Sequence, residues 1–262
     1  DVCSSDLHGG MRQAPIYTSE GIRALEARAF ALPDAPRLME RAGAAAARAA
    51  GAMLGDHGRR VLVIAGPGNN GGDAFEVAAL LRGGFFRVDL VFLGDPAKLS
   101  PDAAQALKKW RSAGGRDLDA LPDAGSVARH YDLVLDGLFG IGLARALEGR
   151  YASAVESMNQ SGVPVLALDI PSGINSDTGA VMGCAVRAVQ TLTFIALKPG
   201  LLTLDGPDHC GELGVDALGL DVAELLAPQG HRLDAGILRS TLARRTAKFH
   251  KGNAGDVAIL GG

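Results

Sequence analysis

Between residues 61 and 197 the chain alternates short apolar runs with amphipathic stretches. The runs occupy 61–65, 87–93, 133–136, 164–169 and 189–197, and most are separated by segments of helical period at 72–82, 102–113 and 151–160. Runs rich in Val, Leu and Ile, with no polar face, suit strands buried on both sides. Alternating with helices, they predict a parallel sheet covered on both faces. Ahead of them, residues 18–54 are dominated by Ala, Leu, Arg and Glu, with Ser19 as a capping residue and Pro33 and Pro36 breaking the stretch into two helices. The expected fold class is therefore α/β, a Rossmann-like three-layer αβα sandwich with a mostly parallel central sheet and N-terminal helices.

Composition narrows the partners. With 262 residues, 47% hydrophobic and 21% charged, the chain can bury a substantial core. A net charge of -3 gives no basic face for a phosphate backbone, so nucleic acid is not an expected partner. No apolar run approaches the roughly 20 residues that span a bilayer, and no charged-then-apolar leader opens the chain, so a cytoplasmic location without membrane contact is expected. Cys3, Cys184 and Cys210 form no C-x-x-C pair, which speaks against a disulfide framework or zinc knuckle. Residues 1–13 show no apolar periodicity, contain Met11 as a natural start, and read as an extension outside the fold. Residues 14–225 read as the main domain and 226–243 as a linker around Pro228 and Gly230. Residues 244–262 read as the cut start of a second domain, with a strand beginning at 256–260.

Ligands of an open parallel sheet bind beyond the carboxyl ends of its strands, which directs attention to three loops. The first, GPGNNGGD at 66–73, lacks both G-x-G-x-x-G and the Lys-Ser/Thr of a P-loop. Its glycines would let backbone N–H groups approach an anion at the start of the helix near Gly72, yet Asp73 adds negative charge there. Asn69, Asn70 and Asp73 serve equally well as caps and turn formers, so both readings stand on this stretch alone. The second loop carries Asp136 followed by Gly140 and Gly142; the third carries Asp169, Pro171 and Ser172. The amide oxygen of Asn70, the carboxylate of Asp136 and the hydroxyl of Ser172 are hard donors with no His or Cys among them. They suit an alkali or alkaline-earth cation, and with one carboxylate a monovalent ion is at least as reasonable as Mg2+. Lys198 follows the fifth apolar run, where desolvation would tune it for acid or base work; a solvated boundary charge is the ordinary alternative. His209 and Cys210 read as a turn, not a metal site.

GPGNNGGD, DGLFGIGL (136–143), LALDIPSGINSDTG (166–179) and TFIALKPGLLTLDGPDHCGEL (193–213), in this order, closely resemble the YjeF N-terminal family, the NAD(P)HX epimerases; LMERAG at 38–43 extends the likeness into the N-terminal helices. The tail FHKGNAGDVAILGG (249–262) is similar to the opening of the ADP- or ATP-dependent NAD(P)HX dehydratase domain, a ribokinase-like fold. The resemblance implies an isomerase cut from a bifunctional coenzyme-repair enzyme, lacking its lyase half. Its substrates would be NADHX and NADPHX, the forms of NADH and NADPH hydrated at C6 of the nicotinamide ring, with R and S epimers interconverted. It implies substrate contacts from Asn69, Asn70, Gly71, Gly72 and Asp73, and a K+ ion held by Asn70, Asp136 and Ser172. It also implies a phosphate loop formed by Gly140, Ile141, Gly142, Leu143, Ala144, Arg145 and Ala146, and a substrate-contacting carboxylate at Asp169. We expect Asp169 as acid/base, with Lys198 as its partner or stabiliser, and a homodimer or higher homo-oligomer. Ile141 and Ala146 stand where Thr and Pro are usual, and Leu204 where Gly is expected. Two rivals are a nicotinamide-dependent dehydrogenase, disfavoured by the missing glycine spacing and by Asp95 being displaced from the end of the second strand, and a non-catalytic scaffold of the same fold, as in eukaryotic decapping proteins.

Overall fold

A computed structural model describes residues 14–232; the extension at 1–13, the expected strand at 256–260 and the dehydratase-like tail lie outside the described residues. Residues Ala14–Gly230 form one compact unit. Its centre is a seven-stranded parallel sheet of β1 (Arg60–Ala65), β2 (Arg87–Phe92), β3 (Arg116–Asp117), β4 (Leu133–Gly137), β5 (Val165–Leu168), β6 (Gln190–Phe194) and β7 (Glu212–Asp216), in the order β3-β2-β1-β4-β5-β6-β7. Strand order reverses between β1 and β4, which opens the crevice where ligands of such sheets bind.

The period of two along β1 sorts its side chains into the two outer layers. Val61, Val63 and Ala65 pack with α1 (Ser19–Phe30), α2 (Leu38–Leu54), α3 (Asn69–Gly83) and α4 (Pro101–Ser112). Leu62 and Ile64 pack on the other face with α5 (Ala124–His130) and α6 (Arg150–Ser161), through Val127, Ala154, Val155 and Met158. The expected sandwich is thus the observed one. α2 crosses α3 so closely that a Cβ on Gly43 would lie 2.4 Å from the Cβ of Glu76.

Several local expectations are corrected. Thr18, not Ser19, caps α1, accepting from Gly21 N at 3.3 Å; Ser19 instead bonds Asp177 through both its N and Oγ, each at 2.6 Å. α3 begins at Asn69, not Gly72, so the two asparagines lie in its first turn. The stretch around His209 is a short helix, α7 (Gly206–Cys210), and His209 Nδ1 lies 2.8 Å from Val186 O. Tyr17 Oη donates to Leu226 O at 2.6 Å and Thr18 N to Gln229 Oε1 at 2.8 Å, contacts within the compact unit.

β6 ends at Phe194, short of the expected Leu197, for a backbone reason. Ile195 has φ of 69°, and Ala196 N donates to Phe194 O at 2.8 Å across it. β5 ends in the same way: Asp169 has φ of 66°, and Ile170 N donates to Leu168 O at 2.8 Å. These are γ-turns of the rare, strained hand, side by side on neighbouring strands. Each central residue still uses its N–H to extend the sheet, Asp169 to Leu192 O and Ile195 to Asp216 O, both at 2.8 Å. An aspartate tolerates the left-handed region, whereas a β-branched isoleucine is an outlier there.

Candidate functional site

The loops after β1 and β4 meet backbone to backbone. Gly66 N donates to Gly137 O at 3.0 Å, and a Cβ on Gly66 would fall 1.8 Å from Leu138 O; one on Gly71 would fall 2.0 Å from Gly66 O. The glycines of GPGNNGGD therefore serve close approach, which is how α3 can start directly under the crevice and turn Asn70 inward.

A buried polar cluster lies at this crossing. Ser172 Oγ donates to Asp136 Oδ1 at 2.6 Å, and Ser172 N donates to Asp136 Oδ2 at 2.8 Å. Leu138 N donates to Asp136 Oδ1 at 3.2 Å, and Phe139 N to Ser172 Oγ at 3.0 Å. Both side chains are fully buried. Burial pushes the Asp136 carboxyl up to about 6, with the bonds from Ser172 and Leu138 pulling the other way. Asn70 is 7% exposed, and neither its Oδ1 nor its Nδ2 has a hydrogen-bond partner. Its Cγ lies 3.6 Å from where a Cβ of Gly140 would be, next to Phe139 in the segment that Ser172 holds. An orphaned buried amide beside a buried carboxylate and hydroxyl is a donor set that fits a hard cation.

Next to the cluster is a cavity of about 160 Å³. Its lining is half apolar, from Ile22, Phe30, Leu38, Met39 and Leu218, and half polar, from Glu26, Asn69, Asp73, Asp169 and Lys198. Lys198 is no solvated boundary charge. It is fully buried, and its Nζ bonds Asp169 Oδ1, Thr193 Oγ1 at 2.8 Å and Phe194 O at 2.7 Å. The γ-turn at Ile195 lets the chain turn back so that Lys198 reaches these acceptors. Asp169 Oδ2 lies only 2.8 Å from a Cβ built on Gly140, so glycine there leaves that oxygen uncovered. Among the described residues no cation forms an ion pair with Asp73; burial, followed by the carboxylates of Asp169, Glu26 and Glu76, pushes its carboxyl well above the usual range, with Lys198 pulling the other way.

Asn69, Asp73, Asp169 and Lys198 thus converge on the cavity, and Asn70, Asp136 and Ser172 on the cluster beside it. Asn69 is oriented by Ser100 Oγ, which donates to its Oδ1 at 2.9 Å. Gly71 and Gly72 are buried backbone positions against Gly66 and Met39. The loop of Gly140, Ile141, Gly142, Leu143, Ala144, Arg145 and Ala146 touches the site through Gly140 but does not line the cavity. Ile141 is half-buried and anchors that loop by packing near Ile170 and Leu201. Glu26, Thr193 and Asp102 were not foreseen. Glu26 has a visible trace, since it interrupts the apolar side of α1 between the buried Leu25 and Ala29. Asp95 caps the turn at Pro96–Lys98 through Ala97 N at 3.0 Å.

Residues 35–200 match the family described as YjeF-related protein N-terminus. The NAD(P)H-hydrate epimerase of Bordetella pertussis is 43% identical over 213 residues, covering 80% of this chain and 90% of its own length. That of Achromobacter xylosoxidans is 46% identical over 186 residues, covering 70% and 86%. The bifunctional NAD(P)H-hydrate repair enzyme of Leishmania braziliensis is 35% identical over 239 residues, 87% of this chain but 42% of that longer protein. In fold, the crystal structure of yeast YNL200c superposes with a TM-score of 0.66 at 20% identity, covering 83% of this chain and 96% of that one. The matched span runs from the turn before α2 through Asn70, Asp136, Asp169, Ser172 and Lys198, and the chain belongs to the YjeF-related protein N-terminus family.

Proposed function

We propose that this chain interconverts the R and S epimers of hydrated NADH and NADPH at C6 of the nicotinamide ring. The observation that carries the reading is the Asp169–Lys198 pair set in the wall of a half-apolar cavity, in a chain whose relatives bear the name NAD(P)H-hydrate epimerase. C6 of the hydrate bears a hydroxyl and bonds ring nitrogen N1, so when a base takes the hydroxyl proton the C6–N1 bond breaks, C6 becomes an aldehyde carbon and an acid protonates the released nitrogen. Reclosure of that nitrogen on the other face of the aldehyde, with the proton returned to oxygen, inverts C6. Lys198 occupies Asp169 Oδ1 and fixes the carboxylate; Oδ2, beside Gly140, is the oxygen that takes and gives the proton. Asp73, whose carboxyl is pushed well above the usual range by burial and then by its acidic neighbours, faces the ring from α3. Phe30, Met39 and Leu38 exclude water from the ring's other side.

Asn70, Asp136 and Ser172 would hold K+, with Asn70 offering Oδ1. When bound, the ion supplies a fixed positive charge that balances Asp136 and attracts an anionic substrate. Replacing K+ by tetramethylammonium should abolish the thermal stabilisation that K+ gives; Asn70→Ala should remove the same shift while costing little in K+-free buffer, since its amide bonds nothing. A K+ shift that survives in Asn70→Ala would overturn the assignment.

The activity is tested by mixing the purified chain with the R epimer and an S-specific dehydratase as reporter. Asp169→Asn, shown to be folded by near-UV circular dichroism, should lose at least about 100-fold in rate, the usual contribution of a positioned acid/base. Wild-type turnover by that variant would sink the role. The tail similar to a dehydratase domain, together with the longer bifunctional relative, supports a parent chain that also dehydrates the S epimer.

A further inference from the structure

We infer that Arg23, on α1, positions the diphosphate of the substrate over the loop at 140–146, an assignment that rests on the dinucleotide reading above. The cavity itself is unsuited to a dianion. Its walls carry Glu26, Asp73, Asp102 and Asp169 against one cation, Lys198, whose ammonium is already held by three acceptors. A substrate that places its ring there must find positive charge just outside.

Arg23 stands at that exit. It lies one helical turn before Glu26, close enough that the two interact electrostatically, and its Nη2 points to Ile141 O at 3.5 Å, at the long limit of a hydrogen bond. Its side chain is exposed, and among the described residues no other hydrogen bond or ion pair engages the guanidinium. The buried neighbours Ile22 and Leu25 fix α1 beneath it, so the fork is aimed without being satisfied. Across from it, Gly142 faces open space, and among the described residues the N–H groups of Ile141, Gly142, Ala144 and Arg145 have no acceptor. Free backbone amides on one side and an unspent planar guanidinium on the other make a receptor for a tetrahedral oxyanion, which a guanidinium binds through paired N–H donors. Arg145 is exposed on the loop itself and adds charge, but only Arg23 is fixed by a helix at the junction of loop and cavity.

Two measurements test this separately from the epimerase reading. Binding of ADP-ribose, which has the diphosphate but no nicotinamide, should weaken about 10- to 100-fold in Arg23→Ala, the loss of one or two charge-assisted bonds, and partly recover in Arg23→Lys. In the epimerisation assay, Arg23→Ala should lower kcat/KM for hydrated NADH by a similar factor, while leaving turnover of hydrated dihydronicotinamide riboside, which has no phosphate, and the melting temperature unchanged. Equal ADP-ribose affinity in wild type and Arg23→Ala overturns the assignment whatever the epimerase assay returns. Equal loss on both substrates also overturns it, because the residue would then act through the fold. If ADP-ribose binding depends on Arg23 and no epimerisation is seen in wild type, the activity fails and the anion site stands.

Discussion

Removing the partner of a fully buried ammonium should be among the most damaging single changes in the molecule. Lys198 has a side chain 1% exposed, and among the described residues Asp169 is the one carboxylate bonded to it; Thr193 Oγ1 and Phe194 O are neutral acceptors. Asp169→Asn keeps the shape and strips the charge, which leaves an uncompensated cation in the core at a cost of about 3–5 kcal/mol. At roughly 2–4 °C per kcal/mol for a domain of this size, the melting temperature should fall by about 6–20 °C. Lys198→Met leaves the carboxylate, which is 13% exposed and can recruit water, so it should cost less, about 1–3 kcal/mol. Asp169→Asn combined with Lys198→Met removes both charges and should be more stable than Asp169→Asn alone, giving a coupling of about 2 kcal/mol, while epimerisation stays lost. Guanidinium unfolding with a common m-value measures all four corners of the cycle. Additivity within about 0.5 kcal/mol would refute the claim that the pair acts as a unit.

Leu204 has φ of 50° with its side chain 70% exposed, so it bears left-handed strain and gains little from burial. Leu204→Gly should stabilise the chain by about 0.5–1 kcal/mol, read as a rise in melting temperature; a fall would show that its side chain contributes more than the backbone costs. Asp132 accepts from Arg60 Nη2 at 2.6 Å and from the backbone N–H groups of Arg59 and Arg60, and the Arg60 guanidinium foremost holds its carboxyl well below the usual range. A lowered folded-state carboxyl stabilises above the unfolded range near pH 4 and loses that contribution as pH falls below it. Asp132→Asn should therefore lower stability at pH 7 and flatten the loss between about pH 4 and 2; an unchanged acid limb in urea titrations would count against it.

The sheet was legible wherever burial on both faces left an unbroken apolar run, as in β1, whose residues from Val61 to Ala65 are all fully buried. β3 and β7 were missed for the converse reason. Arg116 and Asp117 are exposed, and Glu212–Asp216 mixes exposed and half-buried positions at the sheet's edge, so neither carries the signal of a core strand. In the site, the rule that ligands gather at strand ends located Asn70, Asp136, Asp169 and Ser172. Glu26 lay beyond its reach, since α1 precedes the first strand of the sheet and joins the cavity only through tertiary packing. The burial of Lys198 was hidden too: it depends on a positive φ at an isoleucine, a conformation that residue type argues against.

That isoleucine sets stability against precision. A glycine at position 195 would adopt its backbone angle without strain, relieving on the order of 1–3 kcal/mol, and would be an easy stabilising change for drift or design to find. It would also loosen the bend that carries the chain from β6 to Lys198 and, through Lys198, the carboxylate of Asp169. Relief of backbone strain and placement of Lys198 would thus trade against each other at this one position.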